Sequence, residues 1–234
     1  MSDKFEQAAI GEYERSANDI GKLKTTLAPL KRSYLRFDKI IATTIDESPT
    51  KPACKAGCSY CCYYKVEVKA HEMLLIHEHM KKNLAPALTT QILNSAAENA
   101  EVIRALTPKE HLATNIKCPF LIENQCSIYE VRPFRCRSFH AVKVESCEAS
   151  FANPSDFSIA TELIEDVSHY SDALSQGFEA AAMDTGYDHR TYDLNTALLE
   201  VFADASIDKR YKRGKKVFKI AIEVMDEAEW FNFL

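Results

Sequence analysis

The sequence predicts a mainly α fold: a helical domain with two irregular cysteine-bearing loop segments and a short β-hairpin that together form a metal site. Through most of the chain apolar residues recur at three- and four-residue steps, the stripe of an amphipathic helix. The stripes stop over residues 54–63 and 116–140, which hold seven of the eight cysteines. With 234 residues, 46% of them hydrophobic, the chain can bury a core without metals or disulfides. The cysteines therefore ask for a chemical explanation.

Taken in order, Ile10, Tyr13, Ala17, Ile20 and Leu27 mark a first helix from Ser2, a suitable N-cap, to about Leu27. Tyr34, Phe37, Ile41 and Ile45 mark a second over Lys31 to Ile45, stopped by the Ser48-Pro49 and Lys51-Pro52 steps. The two are expected to form an N-terminal helical hairpin, residues 1–50. A β-like run follows the first cysteines, from Tyr63 to Val68. Helical patterns return at His71 to Lys82 and Pro86 to Leu106. PFLI and CSIY then read as β-prone runs around a tight turn at Glu123-Asn124-Gln125. These parts make up a cysteine-cluster metal-binding domain, residues 51–150, with an inserted helical pair. Asp156 to Leu174, Gly177 to Met183 and Asp193 to Ala203, the last capped by Asp193, give a C-terminal helical region, residues 151–234, on the same core.

The first sixteen residues are charged and contain no apolar signal-peptide core. The expected compartment is the cytoplasm, where clustered cysteines bind metals or catalyse rather than form disulfides. No stretch approaches the roughly 18 apolar residues of a membrane span. A net charge of −5, from 34 acidic and 29 basic residues, argues against a nucleic-acid-binding surface. The exception is a run from Lys209 to Lys219 in which seven of eleven residues are basic; with acids at Asp208 and Glu223 it reads first as a solvated face.

The first cysteine cluster is Cys54-x3-Cys58-x2-Cys61-Cys62, with Gly57 giving it freedom to turn. Cys118, Cys126 and Cys136 form the second, and Cys147 lies apart. A lone cysteine is often a small buried hydrophobe, but four thiols in nine residues are not explained that way. All eight are candidate ligands for zinc or iron, the iron as single ions or as an iron-sulfur cluster. Neighbours such as Cys61 and Cys62 project differently, so one of them can serve a second ion or a reaction. Eight thiols allow two four-cysteine sites, one cluster with spare thiols, or a site completed by a histidine. His140 is the candidate histidine, as ligand or as donor to a thiolate. His71, His111, His169 and His189 read as surface or capped residues, and His77 and His79 point to different helix faces. Thiolates around a divalent ion leave excess negative charge, which nearby cations offset. Arg132, held by Pro133, is expected to bridge the second segment through its planar fork.

The order C-x3-C-x2-C-C, then C-P-F-L, C-S-I-Y and R-P-x-x-C-R, resembles the YkgJ-type cysteine-cluster family, a zinc- or iron-chelating domain named for a CxxCxxCC signature. The resemblance spans Cys54 to His140 and takes in Tyr129, Arg132, Pro133 and Arg137, with x3 in place of the first x2. It implies metal chelation, with Tyr129, Arg132, Arg137 and His140 placed around the ligands. It also brings in flagellin lysine N-methylase, which carries a similar cysteine domain and transfers methyl groups from S-adenosylmethionine to lysine. A methyltransferase acting on a protein substrate and a structural zinc module for a protein partner are thus alternatives. The C-x3-C-x2-C spacing also matches radical S-adenosylmethionine enzymes, but the alternating strands and helices and the glycine-rich strand end of those enzymes are not visible.

Overall fold

The computed structural model describes residues 3–224. The cap expected of Ser2 lies outside them. Helix α1 (Asp3–Leu23) ends where Lys24 turns left-handed, at φ 52°. Helix α2 (Leu27–Glu47) starts four residues before the expected Lys31. Pro29 does not prevent this, because the first turn of a helix needs no N–H at that position. A 3-10 turn (Tyr60–Tyr63) replaces the start of the expected strand, which shortens to β1 (Glu67–Lys69). Helices α3 (Ala70–Asn83) and α4 (Pro86–Arg104) follow within a residue or two of expectation. Thr107 and Glu110 then cap each other around α5 (Pro108–Leu112).

Strands β2 (Leu121–Ile122) and β3 (Gln125–Cys126) form the expected hairpin. Glu123 and Asn124 both sit at positive φ, 48° and 60°, as a two-residue turn between twisted strands requires. The short helix α6 (Phe134–Arg137) and α7 (Val144–Ala152) were not expected. Residues 156–164 are not helical: the Asp156 carboxylate accepts from the Ser158 amide at 3.0 Å and hydroxyl at 2.6 Å, a local turn that competes with helix. One continuous helix α8 (Glu165–Asp184) replaces the two expected pieces. Strand β4 (Thr191–Asp193) leads into α9 (Leu194–Ala203), where Asp193 accepts from the Thr196 amide at 2.8 Å as expected of a cap. Helix α10 (Ile207–Lys212) and β5 (Glu223–Val224) complete the described chain. The three strands β1, β4 and β5 make an antiparallel sheet in the order β1-β4-β5.

The seam that organises the body is α1 on α8. It runs close because α8 carries Gly177 at the crossing. A Cβ there would stand 2.5 Å from the Ala9 carbonyl oxygen, nearer than carbon and oxygen can approach. Glu12 is buried in the same seam and holds Arg36 of α2 through Nε at 2.7 Å. Helix α1 thus packs chiefly on α8, while α2 contacts both α8 and α1. A hydrophobic cluster joins Ile20, Phe37, Met73, Ile92, Phe178 and Leu198, with Cys118 and Cys126 packed against its edge. Among the described residues no helix is long and apolar enough to cross a membrane.

Candidate metal centre

The two cysteine segments are stitched together through their backbones. The Cys118 amide donates to the Cys62 carbonyl at 2.7 Å and the Ile116 amide to the Tyr63 carbonyl at 3.0 Å. The Ala53 amide donates to the Ala141 carbonyl at 2.8 Å, closing the far side. Helix α7 braces the first segment: the Tyr60 hydroxyl donates to Glu148 at 3.0 Å, and the rings of Tyr60 and Tyr63 meet the edge of Phe151. In this way α7 also brings Cys147, the sequence outlier, back beside Cys54 and Cys58.

The thiols perturb one another. Burial, then the thiols of Cys136, Cys126 and Cys61, push Cys118 above the ordinary thiol range. Burial, then Cys126 and Cys61, push Cys136 up to about 12. Cys126 is raised by burial, and it too feels Cys61. Cys61, Cys118, Cys126 and Cys136 therefore form a quartet in which every pair interacts. Cys61 is itself held up by its hydrogen bond with Cys62, then by burial. A second neighbourhood contains Cys54, raised by burial and by Cys58 and Cys61, and Cys147, raised to about 11 by burial and by Cys54, Cys58 and Cys61. Cys61 stands at the junction of the two.

Other groups favour the charged thiolate. The backbone amides of Phe120 and Ile128 reach the sulfurs of Cys118 and Cys126, two residues back in each case, and a hydrogen bond to the ionised form lowers its cost. The charge of Arg132 acts in the same sense on Cys61, Cys126 and Cys136. Among the described residues no group of three or more Cys, His, Asp or Glu side chains is set for a metal ion. The thiols share a neighbourhood rather than a finished cage. The donors present, thiolates with amides and a guanidinium beside them, suit zinc or iron. The expected β-hairpin carries Cys126, paired across the strands with Leu121.

The bridging fork expected of Arg132 belongs to Arg137. The buried Arg137 donates to the Arg132 carbonyl at 2.9 Å and to Asp38 of α2 at 2.6 Å, reaches the Glu130 carbonyl, and lies 3.9 Å over the Tyr34 ring. Arg132 bonds the Tyr129 carbonyl at 3.2 Å and covers the exposed Tyr129 ring at 3.7 Å. The ring nitrogen of His140 pairs with the Arg137 carbonyl at 2.9 Å, and burial lowers its pKa. Two histidines expected to be surface or capped residues, His71 and His111, are buried. His71 packs on Phe178 with both ring nitrogens unpartnered.

Glu72 is a supporting residue that sequence reasoning missed. It is buried, and its carboxylate accepts from the Lys69 amide at 3.0 Å, the Phe134 amide at 2.8 Å and the Tyr34 hydroxyl at 3.1 Å. Its place three residues after Lys69, where a helix begins, is the available signal. Three of the seven basic residues of the run are held in ion pairs, Arg210 with Asp204 at 2.6 Å, Lys212 with Asp208 at 2.6 Å and Lys216 with Glu223 at 2.5 Å.

The chain matches no curated protein and no solved structure. Residues 53–157 match the family model CxxCxxCC, described as a putative zinc- or iron-chelating domain. That span begins one residue before Cys54, takes in all eight cysteines and ends just beyond α7. The matched family is the one to which the order of the cysteines points.

Proposed function

We propose that the chain is a cytoplasmic metal-chelating protein that holds zinc or iron, singly or as an iron-sulfur cluster, between the thiolates of its two cysteine segments. The observation that carries this reading is the mutual proximity of Cys61 with Cys118, Cys126 and Cys136, residues brought together from segments more than fifty positions apart. These four are the first ligand group. Cys54, Cys58 and Cys147 form the second, with Cys62 beside the junction at Cys61. Without a cation, burial and mutual repulsion favour the protonated form of Cys54, Cys61, Cys118, Cys126, Cys136 and Cys147. A bound divalent metal would make the thiolate form stable at neutral pH. The amides of Phe120 and Ile128 orient two of the sulfurs, and Arg132 offsets part of their charge.

The test is elemental analysis and visible spectroscopy on protein purified without air, with Cys118→Ser and Cys54→Ser beside the wild type. Iron-sulfur protein is brown and zinc protein colourless. Each variant should lose the metal of its own group and melt lower, because metal affinity and folding are coupled in thiolate sites. Wild-type protein without metal, or two variants with full metal and unchanged melting, would overturn the reading.

A further inference from the structure

Beside the cysteine segments lies a polar cavity of about 310 Å3, walled by β1, the start of α3, the short helix α6 and one face of α8. It stands at the lower end of the roughly 300–1,000 Å3 range of small-molecule sites. Most of its charges are satisfied within the protein. Lys65 meets Glu67 at 2.6 Å and Lys69 meets Glu179 at 3.3 Å. Glu72, on the same wall, already accepts three hydrogen bonds.

Three lining groups are different. The guanidinium of Arg135, on α6, and the carboxylate of Asp172, on α8, have no hydrogen-bond or ion-pair partner among the described residues and do not pair with each other. They are exposed and lie on facing elements. The hydroxyl of Ser171 is the third. That residue is 2% exposed and lines the cavity, yet its oxygen has no partner. A buried hydroxyl without a hydrogen bond is costly, and a polar ligand in the cavity would remove that cost.

We propose that this cavity binds a small zwitterion of the amino-acid class, its carboxylate on Arg135, its ammonium on Asp172, and one polar atom on Ser171. One cation and one anion are left over, so the complementary ligand carries one charge of each sign. A simple carboxylate or amine would satisfy only half of the site. The bound molecule would lie beside the metal centre, since Arg135 and Ser138 flank Cys136 on the cavity wall.

Calorimetric titration of the purified full chain decides the matter, using glycine, L-serine, L-glutamate and L-lysine, with acetate and methylamine as the half-ligands. At least one amino acid should bind with a Kd below about 1 mM, and both half-ligands at least about tenfold more weakly. Arg135→Gln and Asp172→Asn should each weaken binding by about tenfold or more. Ser171→Ala should weaken binding while melting no lower than wild type, an outcome that a purely structural hydroxyl would not give. No binding by any of the four amino acids at 10 mM would overturn the proposal, as would affinities unchanged in both charge variants or acetate binding as tightly as the best amino acid. Metal content is counted on every sample. Loss of zwitterion binding with metal retained sinks this proposal alone, and loss of metal with binding retained sinks only the chelation reading.

Discussion

Where α1 crosses α8, the chain is held by fit: a glycine lets two backbones approach, and a buried carboxylate is closed by a guanidinium. Where the cysteine segments meet, a few backbone hydrogen bonds and several half-buried thiols do the same work with little regular structure. The first region is complete as protein. The second carries a surplus of thiol groups that repel when ionised, so its stability depends on what those groups bind. A protein built this way can lose scaffold stability without losing metal from its folded molecules, because its scaffold stands on different interactions from its site, even though loss of metal lowers the stability of the whole.

The sharpest way to break that separation is at Arg36. Arg36→Met leaves Glu12 buried in the α1–α8 seam with only the Ser16 hydroxyl at 2.8 Å and the more distant Arg15 guanidinium at 3.8 Å. Loss of one partner of a buried pair costs about 3–5 kcal/mol, and the partial exposure of Arg36 points to the lower end, about 3. Thermal melting should fall accordingly, while metal bound per folded molecule stays as in wild type. A parallel fall in metal content would mean the two regions are one cooperative unit.

Arg137 sharpens the comparison because it belongs to both regions, tying Asp38 of α2 to carbonyls of the second cysteine segment. Arg137→Lys keeps the charge but cannot reach three acceptors with a planar fork. It should cost about 2 kcal/mol through acceptors left unsatisfied, and metal should pass to a chelator faster than from wild type. Arg132→Lys, whose residue makes one carbonyl bond, should melt like wild type.

The smallest effect is a pH dependence that belongs to the scaffold. Burial, with Lys69 adding to it and Asp188 opposing, lowers the pKa of His71 from 6.5 to about 3. The native state therefore binds fewer protons than the unfolded chain between those values, and stability falls as pH drops below about 6.5. Between pH 7 and 5.5 this amounts to about 1 kcal/mol. His71→Phe should remove that slope, and the difference between the two denaturation series isolates it from the carboxylates. Identical slopes would show that His71 keeps a proton or gains water on burial.

Periodicity made α4 legible, since its stripe of Ile92, Ala96 and Ile103 is the face it buries, whereas α3 and α9 are buried on nearly every side over their first two turns. It failed at residues 156–164, where one Asp156 side chain diverts the backbone, and at Gly177, where a glycine that resembles a break is a point of close approach. The hairpin was legible from its β-prone runs and the turn residues between them. The cysteines were legible as a set, but their grouping was not, because α7 carries Cys147 back across the first segment through Tyr60, Tyr63 and Phe151. The tie made by Arg137 was hidden for a similar reason: its carboxylate partner, Asp38, lies 99 positions away on an unrelated helix.

One feature near the other end of the chain governs how the molecule can be made. Glu200 of α9 is buried, and its carboxylate is covered by the amides of Lys219, Ile220 and Ala221 at 2.7–2.8 Å. Asp188 is likewise closed by the amide of Val217 at 2.7 Å. On a ribosome these two carboxylates exist before the residues that cover them. Until residues 217–221 emerge, burying either one means stripping water from an ion with only part of its replacement in place, Arg190 and Tyr192 for Asp188 and Arg210 for Glu200, which is costly. Helix α1 waits in the same way for α8, more than 140 residues downstream. The cysteine segments, by contrast, are fully synthesised well before α8 and α9 can close. A nascent chain therefore offers its thiols to the cell while the helical body is still open, and the body locks around them last.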